Sequence, residues 1–388
     1  MHEYIPYGKH DINQDDIDAV VEVLQSNWIT QGPCIEKFEK TIANYCGAKY
    51  AVAVSSGTAA LHIACLATDL KKGDIFWTSP NTFVASANCG LYCGASVDFV
   101  DIDPKTYNLS IKELETKLDF AKKNSCLPKV IIPVHFAGQS YEMEKIAELS
   151  KHYDFKIIED AAHALGGSYK DKPIGSCEFS DMCTFSFHPV KNITTGEGGM
   201  ILTNKKDLYE NLIRLRTHGI TRDETLMKNK SHGPWYYEQL ELGFNYRMTD
   251  IQAALGISQM KRLDEFVSQR RLLAERYNKL LKELPIVLPW QHSDTKSSWH
   301  LYVIRLKLDQ IKKTHRQVFE ELRNMGLGVN LHYIPVHIQP YYQQLGFKSG
   351  DFLNAESYYQ QALTLPLYQS LTEYEQDRVI KTLKEILT

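Results

Sequence analysis

The sequence predicts an α/β protein with a large domain built on a mostly parallel sheet and a smaller C-terminal α+β domain. Between residues 35 and 205, short β-branched runs alternate with longer segments of helical periodicity. This alternation is typical of strands joined by crossover helices, with both faces of the sheet covered. A long amphipathic segment, 261–284, separates this region from a shorter one of mixed character. The 388 residues suffice for more than one hydrophobic core.

The elements of the large domain follow from hydrophobic periodicity. Helices are predicted at 35–46, 57–67 and 141–154, the last because Met143, Ile146, Ala147 and Leu149 recur at helical spacing. Apolar runs bounded by turn-forming residues predict strands at 51–56, 74–80, 96–103, 129–136, 155–160, 181–187 and 198–203.

The division into domains rests on the helix predicted from Lys261 to Leu284, which prolines at 285 and 289 bring to an end. We therefore expect a large domain at 1–260 and a smaller one at 261–388. The smaller domain has predicted strands at 299–306 and 328–333, a helix at 315–326 and a terminal helix. Residues 205–260 are predicted to be helical around a polar loop at 222–235, which is long enough to be functional.

Composition excludes several classes of protein. Hydrophobic residues make up 43% of the chain and charged residues 23%, a balance that argues against disorder. With a net charge of −3, no basic surface for nucleic acid is expected. No apolar run approaches the length of a membrane span or a signal sequence, so we expect a cytoplasmic protein without a membrane partner. The eight cysteines form no CxxC pair, which predicts reduced thiols and no metal site.

Three segments carry residues suited to chemistry. The first runs from Ser55 to Leu61, where a strand ends and a helix begins at Gly57 and Thr58. Glycine allows close approach of a ligand, and the start of a helix offers free N–H groups, so this turn could hold a phosphate. A plain helix cap is the alternative interpretation. The second is Asp160, at the end of an apolar strand, where ligands of parallel sheets bind. Its alternative role is to cap the next helix.

The third segment contains Lys191, between an aromatic, apolar strand and a glycine-rich turn. A lysine among apolar residues is costly to keep charged, so its pKa should fall and its amine become nucleophilic. An ordinary surface lysine is the alternative. An amine, a carboxylate and a phosphate site together are what pyridoxal phosphate requires: a partner for its aldehyde, one for its pyridine nitrogen and one for its phosphate.

At this point the sequence resembles the DegT/DnrJ/EryC1/StrS family of sugar-nucleotide aminotransferases, which are fold-type I pyridoxal-phosphate enzymes. Seven motifs occur in the order found in the family: WITQGPCIEKFE, SSGTAALH, PNTFVASA, EDAAHALGG, FSFHPVKNITTGEGG, LGFNYRMTDIQAALG and LHYIPVH. The match extends over nearly the whole chain. It implies that residues 1–260 bind the cofactor and that the N-terminal segment packs on the small domain.

The resemblance implies roles for the residues that match these motifs. Lys191 corresponds to the Schiff-base lysine and Asp160 to the partner of the pyridine nitrogen. His163 stands beside the cofactor ring, where the family has Gln or His, and Phe83 corresponds to the aromatic residue that stacks on the ring. The phosphate ligands correspond to Gly57, Thr58, Ser186 and, from a neighbouring subunit, Asn245. Each active site would then be shared, which implies a homodimer.

The resemblance also implies the substrates. It is strongest to family members in pseudaminic acid biosynthesis, which move the amino group of L-glutamate to C4 of a UDP-linked 4-keto-6-deoxy-N-acetyl sugar. The implied substrate-binding residues are Tyr7, Asn27, Trp28, Ile29, Thr30, Gly57, Ser186, Asn245, His332, Tyr333, Ile334 and Pro335. Packing is an alternative role for Trp28 and Tyr333, and the loop at 222–235 is a candidate cover for the sugar.

Three alternatives stay open on the sequence. A related enzyme of the family could act on another nucleotide keto sugar, with a different base or at C3. Sugar deoxygenation at C3 is disfavoured, because family members with that activity carry histidine in place of the lysine that is present here at 191. A DNA-binding regulator is disfavoured by the net negative charge.

Overall fold

A computed structural model describes residues 4–387 of the chain. The strands among these residues are β1 (Ile5–Pro6), β2 (Tyr50–Val54), β3 (Ile75–Thr78), β4 (Ser96–Phe99), β5 (Val130–Ile132), β6 (Lys156–Asp160), β7 (Ser168–Tyr169), β8 (Lys172–Pro173), β9 (Met182–Ser186), β10 (Gly199–Thr203), β11 (Ile220–Thr221), β12 (Glu238–Gln239), β13 (Ile286–Val287), β14 (Thr295–Lys296), β15 (Tyr302–Leu306), β16 (Leu327–Gly328) and β17 (Ala362–Leu365).

The helices of the same region are α1 (Gln14–Gln25), α2 (Pro33–Cys46), α3 (Gly57–Ala67), α4 (Val84–Tyr92), α5 (Ile111–Lys123), α6 (Met143–Tyr153), α7 (Lys206–Arg216), α8 (Asp250–Met260), α9 (Leu263–Leu280), α10 (His315–Asn324), α11 (Pro340–Gln343), α12 (Leu353–Tyr359) and α13 (Glu373–Leu387). Several of them begin at a side-chain cap, as in α3, where the Ser56 side chain accepts a hydrogen bond from the N–H of Ala59.

The central sheet has seven strands in the order β2–β10–β9–β6–β5–β3–β4. Five of them, from β9 to β4, pair in parallel, whereas β10 is antiparallel to both of its neighbours. Every residue of β5 and β10 is buried, as expected for strands covered on both faces. The prediction of an α/β fold with a mostly parallel sheet is therefore confirmed.

A second core lies in the C-terminal third of the chain. The antiparallel sheet β13–β15–β17 packs with α9, α10 and α13 around buried residues that include Tyr277, Tyr302 and Leu322. β1 joins this region by pairing in parallel with β16, and Ile5 is buried in the same core. The helix α9 touches both cores, because its first turns pack on the large sheet's helices and its later turns on the C-terminal core. The predicted boundary at 260/261 stays a prediction.

One predicted element is wrong over most of its length. Of the strand predicted at 328–333, only Gly328 lies in a strand; Asn330 makes an isolated antiparallel bridge to Thr364, and the rest is a loop. Side chains fix the loop beyond that bridge: the Tyr358 hydroxyl donates to the His332 carbonyl at 2.6 Å, and the His332 ring hydrogen-bonds to Thr364 at 2.8 Å. These contacts turn His332 and Tyr333 toward a cavity instead of into a sheet.

Candidate active site

A cavity of about 560 Å³ opens at the carboxyl ends of the parallel strands. Asp160 and Ser186 end β6 and β9, and Lys191 follows β9 by five residues. Since the carboxyl ends of parallel strands lie along one edge of a sheet, residues far apart in sequence meet there. The predicted residues that line the cavity are Tyr7, Gly57, Thr58, Phe83, Asp160, His163, Ser186, Lys191, His332 and Tyr333.

Asp160 is buried, and both of its carboxylate oxygens accept hydrogen bonds. The Ser86 hydroxyl donates to Oδ2 at 2.5 Å, and the backbone N–H of Ala162 donates to Oδ1 at 3.1 Å. Hydrogen bonds to the charged form offset the cost of burying a carboxylate. The Asp160 carboxyl group is thus fixed in position at the cavity wall, where it could face a ring nitrogen.

Lys191 is half-buried in the cavity lining. Burial lowers the pKa of its amine to about 8, against the opposing effect of the Asp160 carboxylate, which raises it. A tenth or so of the amine is then uncharged at pH 7, by the ordinary titration relation. An uncharged amine is the form that attacks an aldehyde and accepts a proton, so the alternative of an ordinary surface lysine does not hold.

The turn from Ser55 to Thr58 provides the anion site. α3 begins at Gly57, and a Cβ atom added to that glycine would lie 2.8 Å from the Cβ of Ser186. Only glycine fits between the two segments, which brings free backbone N–H groups of the helix start next to the Ser186 hydroxyl. Such an arrangement suits a phosphate group, and these residues therefore fit the phosphate of pyridoxal phosphate.

Phe83 and His163 both line the cavity. The Phe83 side chain is 58% exposed, which excludes the alternative of a core phenylalanine and leaves its ring free to stack on a ligand. His163 is buried, and its Nδ1 accepts a hydrogen bond from the Ala137 N–H at 3.3 Å. Its Nε2 therefore carries the proton and donates it to the Tyr333 hydroxyl at 3.1 Å. Burial, followed by the nearby charges of Lys191 and His332, keeps the pKa of His163 well below its usual value.

Several lining residues were not predicted from the sequence, and His300 is one of them. His300 lines the cavity, its ring centroid lies 4.4 Å from that of His163, and its buried Nδ1 has no hydrogen-bond partner among the described residues. The available signal was a histidine inside the apolar segment predicted as a strand at 299–306.

Burial also lowers the pKa of His332 to about 3, with Lys191 adding to the effect, so this wall of the cavity is uncharged.

The other predicted residues lie outside the cavity of their own chain. Asn27 to Thr30 are exposed beside the start of α8, where the Asp250 N–H donates to the Ile29 carbonyl at 3.1 Å. Asn245 is exposed on a loop before the same helix, Ile334 is 45% exposed, and Pro335 is buried outside the lining. Their roles stay predictions that involve a second chain or a bound sugar.

Two absences apply to residues 4–387 only. No helix in that range combines the length and the apolar character needed to cross a lipid bilayer. Within the same range, histidine, cysteine and acidic side chains nowhere gather in a group of three that could bind a metal ion.

Comparison with known proteins points in the same direction as the geometry. The model of the DegT/DnrJ/EryC1/StrS aminotransferase family matches residues 10–384. The chain is 39% identical to the spore coat polysaccharide biosynthesis protein SpsC of Bacillus subtilis, over 99% of this chain and 97% of SpsC. It is 37% identical to the UDP-4-amino-4,6-dideoxy-N-acetyl-beta-L-altrosamine transaminase of Campylobacter jejuni (strain 81-176), again over 99% of this chain and 97% of the relative.

Solved structures give the same result. Helicobacter pylori PseC, an aminotransferase involved in the biosynthesis of pseudaminic acid, matches with a TM-score of 0.89 at 30% identity, over 99% of each chain. Other solved relatives include forms designated PLP and PMP, for the aldehyde and amine states of the cofactor.

Proposed function

Because the chain belongs to the DegT/DnrJ/EryC1/StrS aminotransferase family, whose members are pyridoxal-phosphate enzymes, we propose that it transfers the amino group of L-glutamate to C4 of a UDP-linked 4-keto-6-deoxy-N-acetyl sugar in pseudaminic acid biosynthesis. The observation that carries the amino transfer is the half-buried Lys191, with its lowered pKa, in one cavity with Asp160. The choice of sugar is supported by the similarity to the Campylobacter jejuni and Helicobacter pylori proteins.

Different residues of the cavity would have different roles in the reaction. Bound pyridoxal phosphate supplies an aldehyde that combines with amines and a protonated pyridine ring that accepts the electron pair of a breaking C–H bond. Asp160 would favour a protonated ring nitrogen, because hydrogen bonds from Ser86 and Ala162 fix its carboxylate in the cavity wall. Gly57, Thr58 and Ser186 would hold the phosphate.

The proton transfers fall to Lys191. Its amine nitrogen, partly uncharged near neutral pH, would take up and release the proton that the amino transfer moves, for each of the two substrates in turn. His163, whose Nδ1 accepts the Ala137 N–H and whose pKa is lowered by burial, would stand beside the ring without adding a charge that competes with Asp160.

We further propose a cytoplasmic homodimer in which Asn245 completes the partner's phosphate site. The α1 helix and the loop after it expose the apolar side chains of Ile17, Val21, Leu24, Trp28 and Ile29, between 41% and 57% accessible. Ile17, Val21 and Leu24 recur within α1 at intervals of four and three residues, so they lie along one face of the helix, and Trp28 and Ile29 follow in the loop after it. An exposed apolar stripe of this kind supports burial against a second copy.

A second candidate is amino transfer to a different nucleotide keto sugar, with another base or at C3. The identity to SpsC, 39%, is slightly higher than that to the Campylobacter jejuni transaminase, 37%. Similarity therefore supports the family more strongly than it supports one sugar.

The experiment that separates the two candidates offers the glutamate-treated holoenzyme a panel of keto sugars. UDP- and dTDP-linked 4-keto and 3-keto sugars are supplied with L-glutamate, and the amino sugar formed is examined by NMR. We expect an axial amine at C4 of the UDP-linked N-acetyl sugar and no turnover by Lys191→Ala. An equatorial amine, or faster turnover of another nucleotide sugar, would support the second candidate instead.

Sharing of the site is tested by mixing two inactive variants. Lys191→Ala and Asn245→Ala are refolded or co-expressed together, so that half of the dimers carry one copy of each. If Asn245 acts in the partner's site, each mixed dimer has one intact site, and about one quarter of wild-type activity returns. If Asn245 serves its own chain, every site lacks one of the two residues and no activity returns.

A further inference from the structure

We propose that Cys65, Cys89 and Cys93 form a thiol redox site between α3 and α4, in which a peroxide oxidises Cys93 and Cys65 then closes a disulfide with it. The site lies near the C-terminal end of α3, away from the start of that helix where the phosphate is expected to bind, and none of its three cysteines lines the cavity. Nothing in the proposed amino transfer uses these thiols.

The three sulfurs are gathered by two adjacent helices. Cys65 in α3 and Cys89 in α4 are fully buried, with their Sγ atoms 3.6 Å apart. Cys93 follows the last residue of α4 and is half-buried; its sulfur contacts the carbonyl oxygens of Cys89 at 3.4 Å and of His62 at 4.0 Å. Cys65 and Cys93 are close enough that each thiol shifts the pKa of the other. Closing a disulfide bond of about 2.05 Å within this cluster requires the side chains to move together.

The environment gives the thiols different roles. The hydrogen bond from Cys65 lowers the pKa of Cys93 to about 6, in spite of partial burial. Hydrogen bonds to Cys89 and Cys93, followed by burial, raise the pKa of Cys65 well above its usual value. Cys93 is thus the thiolate that solvent can reach, and Cys65 is a protonated thiol held next to it. This pairing of a reactive and a resolving thiol is the one that disulfide formation requires.

The oxidant is hydrogen peroxide, and the reaction balances in two steps. The Cys93 thiolate attacks one peroxide oxygen: an S–O bond forms, the O–O bond breaks, and hydroxide leaves and takes up a proton as water. The Cys65 sulfur then attacks the sulfur of the resulting sulfenic acid: an S–S bond forms, the S–O bond breaks, and the Cys65 proton leaves with the oxygen as a second water. Two thiols and one peroxide give one disulfide and two waters.

The redox site supports the turn that precedes the phosphate-binding helix. His62 lies on α3, and its backbone carbonyl contacts the Cys93 sulfur at 4.0 Å. The centroid of its ring is 4.8 Å from that of Phe244, and its Nδ1 is 3.2 Å from the Tyr246 hydroxyl. The Tyr246 carbonyl in turn accepts the Ser55 N–H at 2.8 Å. Oxidation of Cys93 removes its contact with the His62 carbonyl, so we expect the oxidised protein to hold pyridoxal phosphate less firmly.

The experiment titrates purified holoenzyme with hydrogen peroxide and counts thiols under denaturing conditions. We expect the wild type to lose two thiols for each peroxide consumed, with peptide mapping placing the disulfide between Cys65 and Cys93. Cys65→Ser should stop at a sulfenic acid on Cys93 that dimedone traps, and Cys93→Ser should lose no thiols at the same peroxide dose. Cys34→Ser is the matched control, because Cys34 is also half-buried but has a raised pKa, and it should behave like the wild type.

A measurement on the unaltered protein guards against variants that misfold. At pH 7, iodoacetamide should alkylate Cys93 about tenfold or more faster than Cys34, since the thiolate of Cys93 predominates. Equal alkylation rates, or a Cys93→Ser variant that still loses two thiols, would overturn the redox site. Dialysis then measures retention of the cofactor: faster loss from the oxidised wild type than from peroxide-treated Cys93→Ser supports the link to the phosphate site, and equal loss overturns that link.

Discussion

In cofactor-free protein, we expect Lys191 to be acetylated near pH 7 far faster than an ordinary lysine. Burial penalises the ammonium form and lowers the pKa to about 8, compared with 10.5 for an unperturbed lysine. At pH 7 the uncharged fraction is then about 9% instead of about 0.03%, a ratio of about 300. Because only the uncharged amine reacts, the rate ratio should approach this value to the extent that the cavity admits the reagent.

The assay acetylates apo protein with a small anhydride at pH values from 6 to 11 and quantifies the Lys191 peptide by mass spectrometry, with a one-lysine peptide as reference. The Lys191 rate should level off above about pH 8, whereas the reference rises until about pH 10.5. Asp160→Asn removes the charge that raises the pKa of Lys191, so the midpoint should move to lower pH. A wild-type midpoint near 10.5, or an upward shift in Asp160→Asn, would refute the reasoning.

The other predictions concern stability and cofactor binding. Lys191→Met should stabilise the apo protein at pH 7 by up to about 3 kcal/mol, because burial lowers the pKa of the lysine amine from 10.5 to about 8 and so penalises its charged form. The gain in stability should shrink as the pH rises from 8 to 10.5. A difference in urea midpoint that stays constant over this pH range would contradict the prediction. Gly57→Ala should weaken pyridoxal phosphate binding by about tenfold or more, as measured by absorbance titration, since the added Cβ overlaps the Cβ of Ser186. The control variant Gly8→Ala should show no such loss, because its added Cβ makes only ordinary contacts, the nearest at 3.7 Å. Ser86→Ala should lower the free energy of unfolding by about 1.5–3 kcal/mol, because it leaves a buried Asp160 oxygen without its donor; an unchanged urea midpoint would contradict the buried pair.

The sheet could be predicted because buried parallel strands are apolar on both faces. Runs such as Ile75–Thr78 and Val130–Ile132 are short, nearly continuous in apolar residues and separated by helical segments. Few sheet topologies are compatible with that pattern, and the structure adopts one of them. The antiparallel direction of β10 could not be predicted, because a fully buried antiparallel strand has the same composition as a parallel one.

The site was predicted where local sequence creates the chemistry. Asp160 ends a strand, and Gly57 and Lys191 each follow one, so the topology of the sheet brings them to one edge. His300 escaped prediction because its position is set by tertiary packing against His163, which no local period encodes. The partners of Asn245 could not be derived either, since they depend on a second chain.

The strand β6 shows why a one-residue difference in phase decides the chemistry. Glu159 and Asp160 are adjacent acidic residues and both are buried, but successive side chains of a strand point to opposite faces. Asp160 therefore lines the cavity, while the Glu159 carboxylate lies 2.7 Å from Nε2 of the buried His135 and also accepts the Ser180 hydroxyl. A register shift by one residue would exchange the two carboxylates and bring an acid with a longer side chain to the cavity. The parallel pairing of Asp160 with Thr184 on β9 excludes that shift, so the sheet register itself selects which carboxylate faces the cofactor site.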